Sequence, residues 1–217
     1  MSRGFTLIEL VISIAIFVFM TALIVLKFGN FNQSTLLTDT AYEVALVLRT
    51  AQSYGLSVKN AGALGGSSQF KLPYGVDFDD APAGNVCGQT GASNTSNASS
   101  VTLFSDGASG GVYDGQCTNA LTPDAAVTAY RLTRGAAISS LCAGADASSC
   151  HSTGMMQQLD ITFQRPNPDA RICGVPSSGG SFSCGAPYQY AEITVMATDG
   201  STRLVTVRGN GQISVPQ

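Results

Sequence analysis

The chain has 217 residues, a formal net charge of −3 at pH 7, and only 12% charged residues. Soluble domains average about 25% charged residues, so this composition is low in charge. The length suits one domain with an appended element. The acidic balance argues against a general electrostatic attraction to nucleic acid.

The chain begins with a short basic stretch, Met1 to Gly4, followed by an apolar run from Phe5 to Leu26. A helix over this run would span roughly 33 Å, which is enough for a hydrocarbon core of about 30 Å. Arg3 precedes the run, which predicts that the N-terminus stays in the cytoplasm and the rest lies outside. Four polar residues interrupt the run: Thr6, Glu9, Ser13 and Thr21.

Three interpretations of this segment compete. A cleaved secretory signal would need a small-residue site after the run, and "VLKFGNFNQS" has none. A plain anchor leaves Glu9 unexplained, since an acid at the centre of a membrane helix costs on the order of 2.5–3.5 kcal/mol. In the third, cleavage after Gly4 frees an α-amino group on Phe5. Glu9 is then about 6 Å away along the helix axis and can neutralise that amine or a neighbouring subunit's.

The stretch from Arg3 to Leu10, "RGFTLIEL", resembles the processing site of type IV prepilins and type II secretion pseudopilins. The resemblance implies cleavage between Gly4 and Phe5 by an inner-membrane prepilin peptidase, which also N-methylates Phe5. It implies that Glu9 guides assembly with other pilin or pseudopilin subunits on an inner-membrane assembly platform. Pseudopilins of the tip-capping K type usually lack this acid, so Glu9 argues against that role.

We divide the chain into a leader (1–4), a transmembrane and assembly helix (5–27), an amphipathic helix (28–60) and a β-rich globular domain (61–217). The stretch 40–60 is similar to the helix of H-type minor pseudopilins and FimT-like minor pilins. Before assembly, the resemblance implies a single-pass protein of the inner (cytoplasmic) membrane with its C-terminal domain outside the cytoplasm. After assembly it implies a periplasmic or cell-surface filament.

The predicted helical region contains a stretch that is unfavourable for helix and, after it, a stripe of apolar residues. Gly29 to Asn32 is unfavourable in a helix, and Thr40 with Glu43 fits a capping box, so a second helical half could begin at Thr40. From Leu37 onward apolar residues recur at helical spacing. We expect this stripe to cover a sheet; its members are Leu37, Ala41, Val44, Ala45, Leu48 and Ala51.

The remainder predicts short strands separated by turns. The candidate runs are "QFKLPYGVDFD", "SVTLFSD", "AVTAYRL", "QLDITFQR", "YAEITVMAT", "TRLVTVR" and "GQISV". Asp199-Gly200 predicts a two-residue hairpin loop, Gly209 to Gly211 predicts another turn, and residues 190–215 therefore predict a three-stranded meander. A helix followed by strands indicates an α+β fold. It agrees with the pilin architecture of a long helix packed on an antiparallel sheet.

Six cysteines lie in the second part of the chain, with no C-x-x-C spacing, which disfavours a zinc ribbon or a thioredoxin-like site. An even number in a low-charge chain favours disulfides in an oxidising compartment over free thiols. Fifteen connectivities are open. Short loops favour sequential pairing: Cys87 with Cys117, Cys142 with Cys150, and Cys173 with Cys184.

Two further groups of residues resemble catalytic sites. Gly107 to Gly111 matches G-x-S-x-G around Ser109, with Asp124, Asp146 and His151 following in hydrolase order, but a hairpin loop is the favoured interpretation. His151 follows Cys150, and a disulfide beside an exposed histidine is favoured over a Cys–His nucleophile pair. We therefore expect no catalytic residue.

Ion and nucleic-acid binding were also weighed. Asp77, Asp79 and Asp80 could contribute to a calcium site, but further ligands are lacking, and a solvated strand end is favoured. The arginines, including Arg203 and Arg208, are interpreted as ordinary surface charge rather than a nucleic-acid site. We expect no metal and no cofactor. The predicted function is a minor pilin or pseudopilin; the alternative is a minor pilin of a competence or adhesion pilus that binds DNA or a surface ligand.

Overall fold

The computed structural model describes residues 6–57, 72–79, 98–107, 111, 113, 124–179, 183–184 and 188–216, with the backbone alone described at 26–33, 125 and 153. The chain divides into two compact units, Met1–Leu36 and Leu37–Gln217. The predicted leader and the predicted boundary at residues 60 and 61 lie outside the described residues.

The longest element is helix α1, Leu7–Leu56, with 50 residues. It continues through Gly29 to Asn32, although a glycine inside a helix costs about 1 kcal/mol relative to alanine. Thr40 lies within the helix and is buried, so the prediction that a second helical half begins there is wrong. A capping box needs a non-helical residue at the cap, whereas here the residues on both sides of Thr40 are helical.

The stripe predicted on α1 is buried in the unit Leu37–Gln217. All six of its members are at most 5% exposed. They belong to one apolar core with side chains of the sheet, among them Val76, Phe78, Leu159, Ile161 and Ile193. Burying one large aliphatic or aromatic side chain contributes about 1.5–3 kcal/mol. The prediction that this stripe covers a sheet is therefore confirmed.

The strands form one antiparallel sheet in the order β10-β9-β8-β4-β5-β1-β2-β3, with β6 beside β5 and β7 beside β6. A short helix, α2 (Ala147–Thr153), precedes β5. The strand bounds are β1 Tyr74–Asp79, β2 Ser100–Ser105, β3 Ala125–Arg131, β4 Ala137–Gly144, β5 Met155–Phe163, β6 Ala170–Pro176, β7 Ser183–Cys184, β8 Tyr190–Met196, β9 Thr202–Arg208 and β10 Ile213–Ser214. The fold is α+β, as predicted.

All seven predicted runs contain strands, and β8, β9 and β10 form the predicted meander. Strands β4, β6 and β7 and helix α2 were not predicted from the sequence. Strand β4, "AISSLCAG", has two adjacent serines and no clear alternation, and β6, "ARICGVP", contains a glycine and a proline. Strand β4 pairs with β8, which lies far away in the chain, and β6 pairs with β5, the strand directly before it. Pairing with a neighbouring strand therefore makes each of them a strand despite its weak local signal.

The two turns of the meander share one geometry. The hairpin at Asp199-Gly200 has a three-residue loop, Thr198 to Gly200, because Ala197 and Ser201 still pair through a backbone hydrogen bond of 2.9 Å. The predicted two-residue loop is therefore wrong, although its position is right. Gly200 has φ +82°, and Gly211 occupies the equivalent place in the next loop with φ +81°. Glycine accepts this left-handed conformation without steric penalty.

The sheet has two unlike faces. One face packs its apolar side chains against the stripe of α1. The opposite face carries α2 beside β4 and β8, and a row of polar side chains on β1 and β5. Alternation along β1 shows the difference, since Val76 and Phe78 enter the helix-side core, and Asp77 and Asp79 lie on the other face.

Candidate functional site

The first segment of α1 is an unpartnered apolar surface. Leu7–Val25 has 19 residues and a mean hydropathy of 2.7, and none of its side chains is buried. Its large apolar side chains are 50–83% exposed. A helix of this length spans about 28 Å, close to the roughly 30 Å hydrocarbon core of a bilayer. The segment fits a single membrane anchor, because water is a poor solvent for so large an apolar surface.

Two of the polar residues in this segment satisfy themselves locally. The Ser13 hydroxyl donates a 2.8 Å hydrogen bond to the Glu9 carbonyl oxygen. The Thr21 hydroxyl donates in the same way to the Phe17 carbonyl oxygen. Both residues bond to the turn before them, which lets a hydroxyl lie in an apolar helix without an external partner.

Thr6 caps the helix that contains Glu9. The Glu9 backbone N–H donates to the Thr6 hydroxyl oxygen at 3.4 Å and to the Thr6 carbonyl oxygen at 3.1 Å. Thr6 and Glu9 thus stand at the first and fourth positions of a T-x-x-E capping signature. The sequence analysis missed this role, although the spacing of the two residues signals it.

The cap does not account fully for the Glu9 carboxylate. An acid in the first turn of a helix gains about 0.3–1 kcal/mol from the helix dipole, well below the roughly 2.5–3.5 kcal/mol of an acid at a bilayer centre. Within the part of the chain that the structure describes, no side chain pairs with this carboxylate. Gly4 and Phe5, the predicted processing residues, lie outside that part.

Comparison with known proteins locates a family signature in this segment. Residues 1–25 match the family model described as the prokaryotic N-terminal methylation motif. This motif is the signature of type IV pilins and pseudopilins, which are structural subunits. No curated protein and no solved structure matches the chain at a significant level. The motif therefore supports a type IV pilin-like or pseudopilin subunit, and it implies processing by a prepilin peptidase and assembly with other pilin subunits.

Two of the predicted disulfides are present. Cys142 bonds to Cys150, eight residues away, and Cys173 bonds to Cys184, eleven residues away. Both pairings follow the sequential pattern and are confirmed. Cys87 and Cys117 lie outside the described residues, so their pairing stays a prediction. The first disulfide links α2 to β4, and the second links β6 to β7.

His151 lies on α2, where it meets a buried acid of β8. Its Nε2 is 3.2 Å from Glu192 Oε2, and its side chain is 62% exposed. The Tyr190 hydroxyl donates to the other oxygen of Glu192. Burial, and then this hydrogen bond, raise the pKa of Tyr190 to about 12. The prediction of a disulfide at Cys150 beside an exposed histidine is confirmed.

The aspartates of the hydrolase-like pattern accept hydrogen bonds from nearby backbone N–H groups. The Asp146 carboxylate caps α2 by accepting a 2.8 Å hydrogen bond from the Ser149 N–H. Asp124 accepts a 2.8 Å hydrogen bond from the Gly107 N–H. His151 faces Glu192 instead of either aspartate, and Ser109 lies outside the described residues. These contacts favour the loop interpretation of the G-x-S-x-G match.

One group of possible metal ligands occurs among the described residues. Ligand atoms of Cys142, Cys150 and Glu192 all lie within 4.8 Å of one another. The two sulfur atoms are joined as a disulfide, however, and metals bind the thiolate form of cysteine. With this disulfide formed, the group cannot act as a thiolate metal site.

The predicted solvated strand end at Asp77 and Asp79 is wrong. The two aspartates share a face of β1 as predicted, but they are only 2% and 4% exposed. Asp80 lies outside the described residues. The acids of this face are therefore part of a buried polar layer.

The two arginines of β9 do not form a common basic surface. Arg203 and Arg208 are five residues apart, so they point to opposite faces of the strand and lie roughly 17 Å apart along it. A backbone-binding surface needs several cations on one face. This placement favours the structural interpretation over the DNA-binding alternative.

Proposed function

We propose that this protein is the precursor of a minor pilin or pseudopilin, a structural subunit that enters a filament through its N-terminal helix. The match of residues 1–25 to the methylation motif carries the proposal. The exposed apolar helix Leu7–Val25 supports it, since a filament core or a bilayer supplies the apolar surroundings that the helix lacks. The globular unit is then the part displayed on the filament.

Processing would occur at the Gly4–Phe5 peptide bond. Hydrolysis there removes four residues and leaves a free amine on Phe5, directly before the cap residue Thr6. Glu9 lies one helical turn further on, about 6 Å along the axis. The cut thus creates a cation near a carboxylate that otherwise has no partner among the described residues.

During assembly, this pair of charges would set the axial offset between the helices of adjacent subunits. An unpaired charge buried in apolar surroundings destabilises strongly, by about 3–5 kcal/mol, whereas a paired one is tolerated. A Glu9 carboxylate that reaches the Phe5 amine of a neighbouring subunit would therefore favour one axial offset between adjacent helices. Other offsets leave both charges unpaired.

Intact-mass measurement and N-terminal sequencing test the processing step. The full chain is produced in a host with prepilin peptidase and in a host without it, beside a known prepilin as positive control. We expect a chain beginning at N-methyl-Phe5 in the first host alone. A chain beginning at Met1 in both hosts, while the control prepilin is processed, would show that the protein is not a prepilin substrate.

A second experiment tests the assembly role of Glu9. Glu9→Gln and the matched control Glu43→Gln are compared, since Glu43 is an exposed acid on the same helix. We expect both variants to be processed, and Glu9→Gln alone to be depleted by tenfold or more from sheared filaments, corresponding to about 1.4 kcal/mol or more. Equal incorporation of both variants would contradict the role of Glu9.

A further inference from the structure

The sheet face opposite α1 contains a buried layer of carboxyl groups. Five of the chain's 14 acidic residues belong to it, and none is more than 4% exposed: Asp77, Asp79, Asp106, Asp124 and Asp160. Ionised carboxylates are almost never fully buried unless they are paired. Each of these acids therefore needs a donor, a cation or a proton.

Asp77 and Asp160 are directly opposite each other on β1 and β5. Gln158 Nε2 donates to Asp77 Oδ1 at 3.0 Å, and the Tyr113 N–H donates to Asp160 Oδ2 at 3.2 Å. Asp160 Oδ1 is buried and has no hydrogen-bond partner, and the Asp77 side chain is within hydrogen-bonding reach of Asp160. Asp160 Oδ1 therefore faces another carboxyl group and has no donor of its own among the described residues.

A proton on Asp160 Oδ1 would remove the repulsion between the two carboxyl groups. The protonated oxygen becomes a donor to Asp77, while Asp77 Oδ1 keeps its bond from Gln158, and Asp160 Oδ2 keeps its bond from Tyr113. Two ionised groups would instead repel by about 4 kcal/mol at 4 Å, even with an effective dielectric constant of 20. A metal ion is a poorer fit, since among the described residues no three carboxylates of this layer bring ligand atoms within 4.8 Å of one another.

Burial, Asp77 and Asp124 raise the pKa of Asp160, whereas the hydrogen bond from the Tyr113 N–H lowers it. Asp79 lies on β1, Asp106 directly follows β2, Asp124 directly precedes β3, and Tyr113 is the residue whose N–H bonds to Asp160. Strand β6 contributes Arg171, whose side chain lies against Gly111, and Cys173, which faces Asp160 but is held in a disulfide. Burial first, and then Asp77, raise the pKa of Asp160 well above its usual range.

Gly111 and Tyr113 are held by hydrogen bonds to two of these acids. Asp106 Oδ2 accepts a 2.6 Å hydrogen bond from the Gly111 N–H. The Tyr113 ring packs on Phe104 with centroids 4.9 Å apart, and the Tyr113 N–H bonds to Asp160. Any separation of Asp160 from Asp77 therefore acts directly on Tyr113.

We propose that Asp160 and Asp77 share one proton at neutral pH, and that loss of this proton weakens the attachment of Tyr113 to the sheet. The attachment of Tyr113 to the sheet face opposite α1 therefore depends on pH. A second negative charge in the dry layer drives the two carboxyl groups apart and admits water. The device belongs to the globular unit and does not depend on processing or assembly.

The pKa of Asp160 is higher in the folded protein than in the unfolded chain, where an aspartate has a pKa of about 3.9. The stabilisation is therefore complete below about pH 3.9 and is lost as the pH rises through the folded-state pKa. Stability contributed by this pair decreases toward alkaline pH.

Carbon-13 NMR of the aspartate carboxyl groups tests the shared proton directly. The full chain in detergent micelles, labelled at aspartate, is titrated from pH 4 to 9. We expect one carboxyl resonance to stay at the protonated position at pH 7 and to be absent in Asp160→Asn. Titration of every aspartate resonance below about pH 5 would overturn the proposal, and this outcome needs no variant that folds.

Variants test whether the attachment of Tyr113 depends on the shared proton. Asp160→Asn keeps the shape and offers an N–H to Asp77, and Asp199→Asn is the exposed control. We expect the wild-type Tm and the hydrogen-exchange protection of the Tyr113 amide to fall between pH 6 and 9, by tenfold or more for the protection factor. Asp160→Asn should abolish both trends, and Asp199→Asn should preserve them. Equal trends in all three proteins would contradict the proposal.

One further measurement separates a proton from a metal ion. Calcium chloride or EDTA is added to wild type and to Asp160→Asn before thermal unfolding. We expect neither reagent to shift the wild-type Tm. A rise with calcium in wild type that is absent in Asp160→Asn would show a cation between the two carboxylates and overturn the shared proton.

Discussion

The two ends of helix α1 are helical for different reasons. From Leu7 to Val25 large apolar side chains are exposed all around the helix. From Leu37 to Ala51 the apolar side chains form a stripe that is buried on the sheet, while Tyr42 and Leu46 on the other side are exposed. A helix that is apolar all round requires surroundings that the described part of the chain does not provide, and an amphipathic one is stabilised by its own domain. Helical structure alone therefore does not distinguish an assembly element from a core element.

The largest expected effect concerns the buried stripe. Leu48 is fully buried, and Leu46, two residues earlier, is 63% exposed. Leu48→Ala should lower the free energy of unfolding by about 2–5 kcal/mol, because it removes buried methyl groups and leaves a cavity. Leu46→Ala should change it by less than about 0.5 kcal/mol. Urea unfolding of both variants checks this, and equal losses would show that the two sides of the helix do not differ.

The apolar segment should respond to charge instead of volume. Ile16 lies in the middle of Leu7–Val25 and is 56% exposed. Ile16→Lys should raise the apparent free energy of membrane insertion by about 3–4 kcal/mol, since a lysine at a helix centre loses its hydration and the favourable contribution of the isoleucine is removed. Ile16→Leu is the matched control. An insertion assay in microsomes measures both, and unchanged insertion of the lysine variant would argue against a spanning segment.

Close approach of helix and sheet gives the next effect. A Cβ atom on Gly55 would lie within 3.0 Å of the Phe163 carbonyl oxygen. Gly55→Ala should therefore lower stability by about 1–3 kcal/mol through overpacking, although alanine is the better helix former by about 1 kcal/mol. Ser53→Ala, at an exposed position of the same helix, should be neutral or slightly stabilising. Thermal unfolding distinguishes the two, and a stabilised Gly55→Ala would show that propensity outweighs the contact.

The smallest effect concerns the caps, which differ between the helices. Thr6 caps α1 with a neutral hydroxyl, whereas Asp146 caps α2 with a carboxylate. The hydrogen bond from the Ser149 N–H lowers the pKa of Asp146. Its stabilisation is thus present above the unfolded-state pKa of about 3.9 and is lost as the pH falls through the folded-state pKa.

Asp146→Asn keeps a cap side chain and removes its charge. We expect a small decrease in Tm at pH 7, and a smaller loss of Tm than wild type between pH 5 and 2. Differential scanning calorimetry across that range checks the prediction. Wild-type and variant curves that run parallel would show that the Asp146 charge does not contribute. The trend is opposite in sign to that expected for Asp160, so the two acids can be told apart in one pH series.

Local patterns predicted those elements whose signal lies within a few residues. The spacing from Leu37 to Ala51 indicated the buried stripe, and the alternation from Tyr190 to Met196 indicated β8. The same local approach missed β4, because its serines and its cysteine become a strand only when β8 pairs with it. It placed a helix start at Thr40, since a capping signature gives no information about the helical turns before it.

The apolar run, the position of Glu9 within it and the methylation motif can be read from the sequence alone, because each depends on residues that are neighbours in the chain. Which titratable side chains meet across the sheet depends on the tertiary fold. Asp77 faces Asp160, and Glu192 faces His151, through strand register and the placement of α2. Register is set by the packing of the whole sheet. For this reason a residue interpreted as a solvated strand end became half of a buried carboxyl pair.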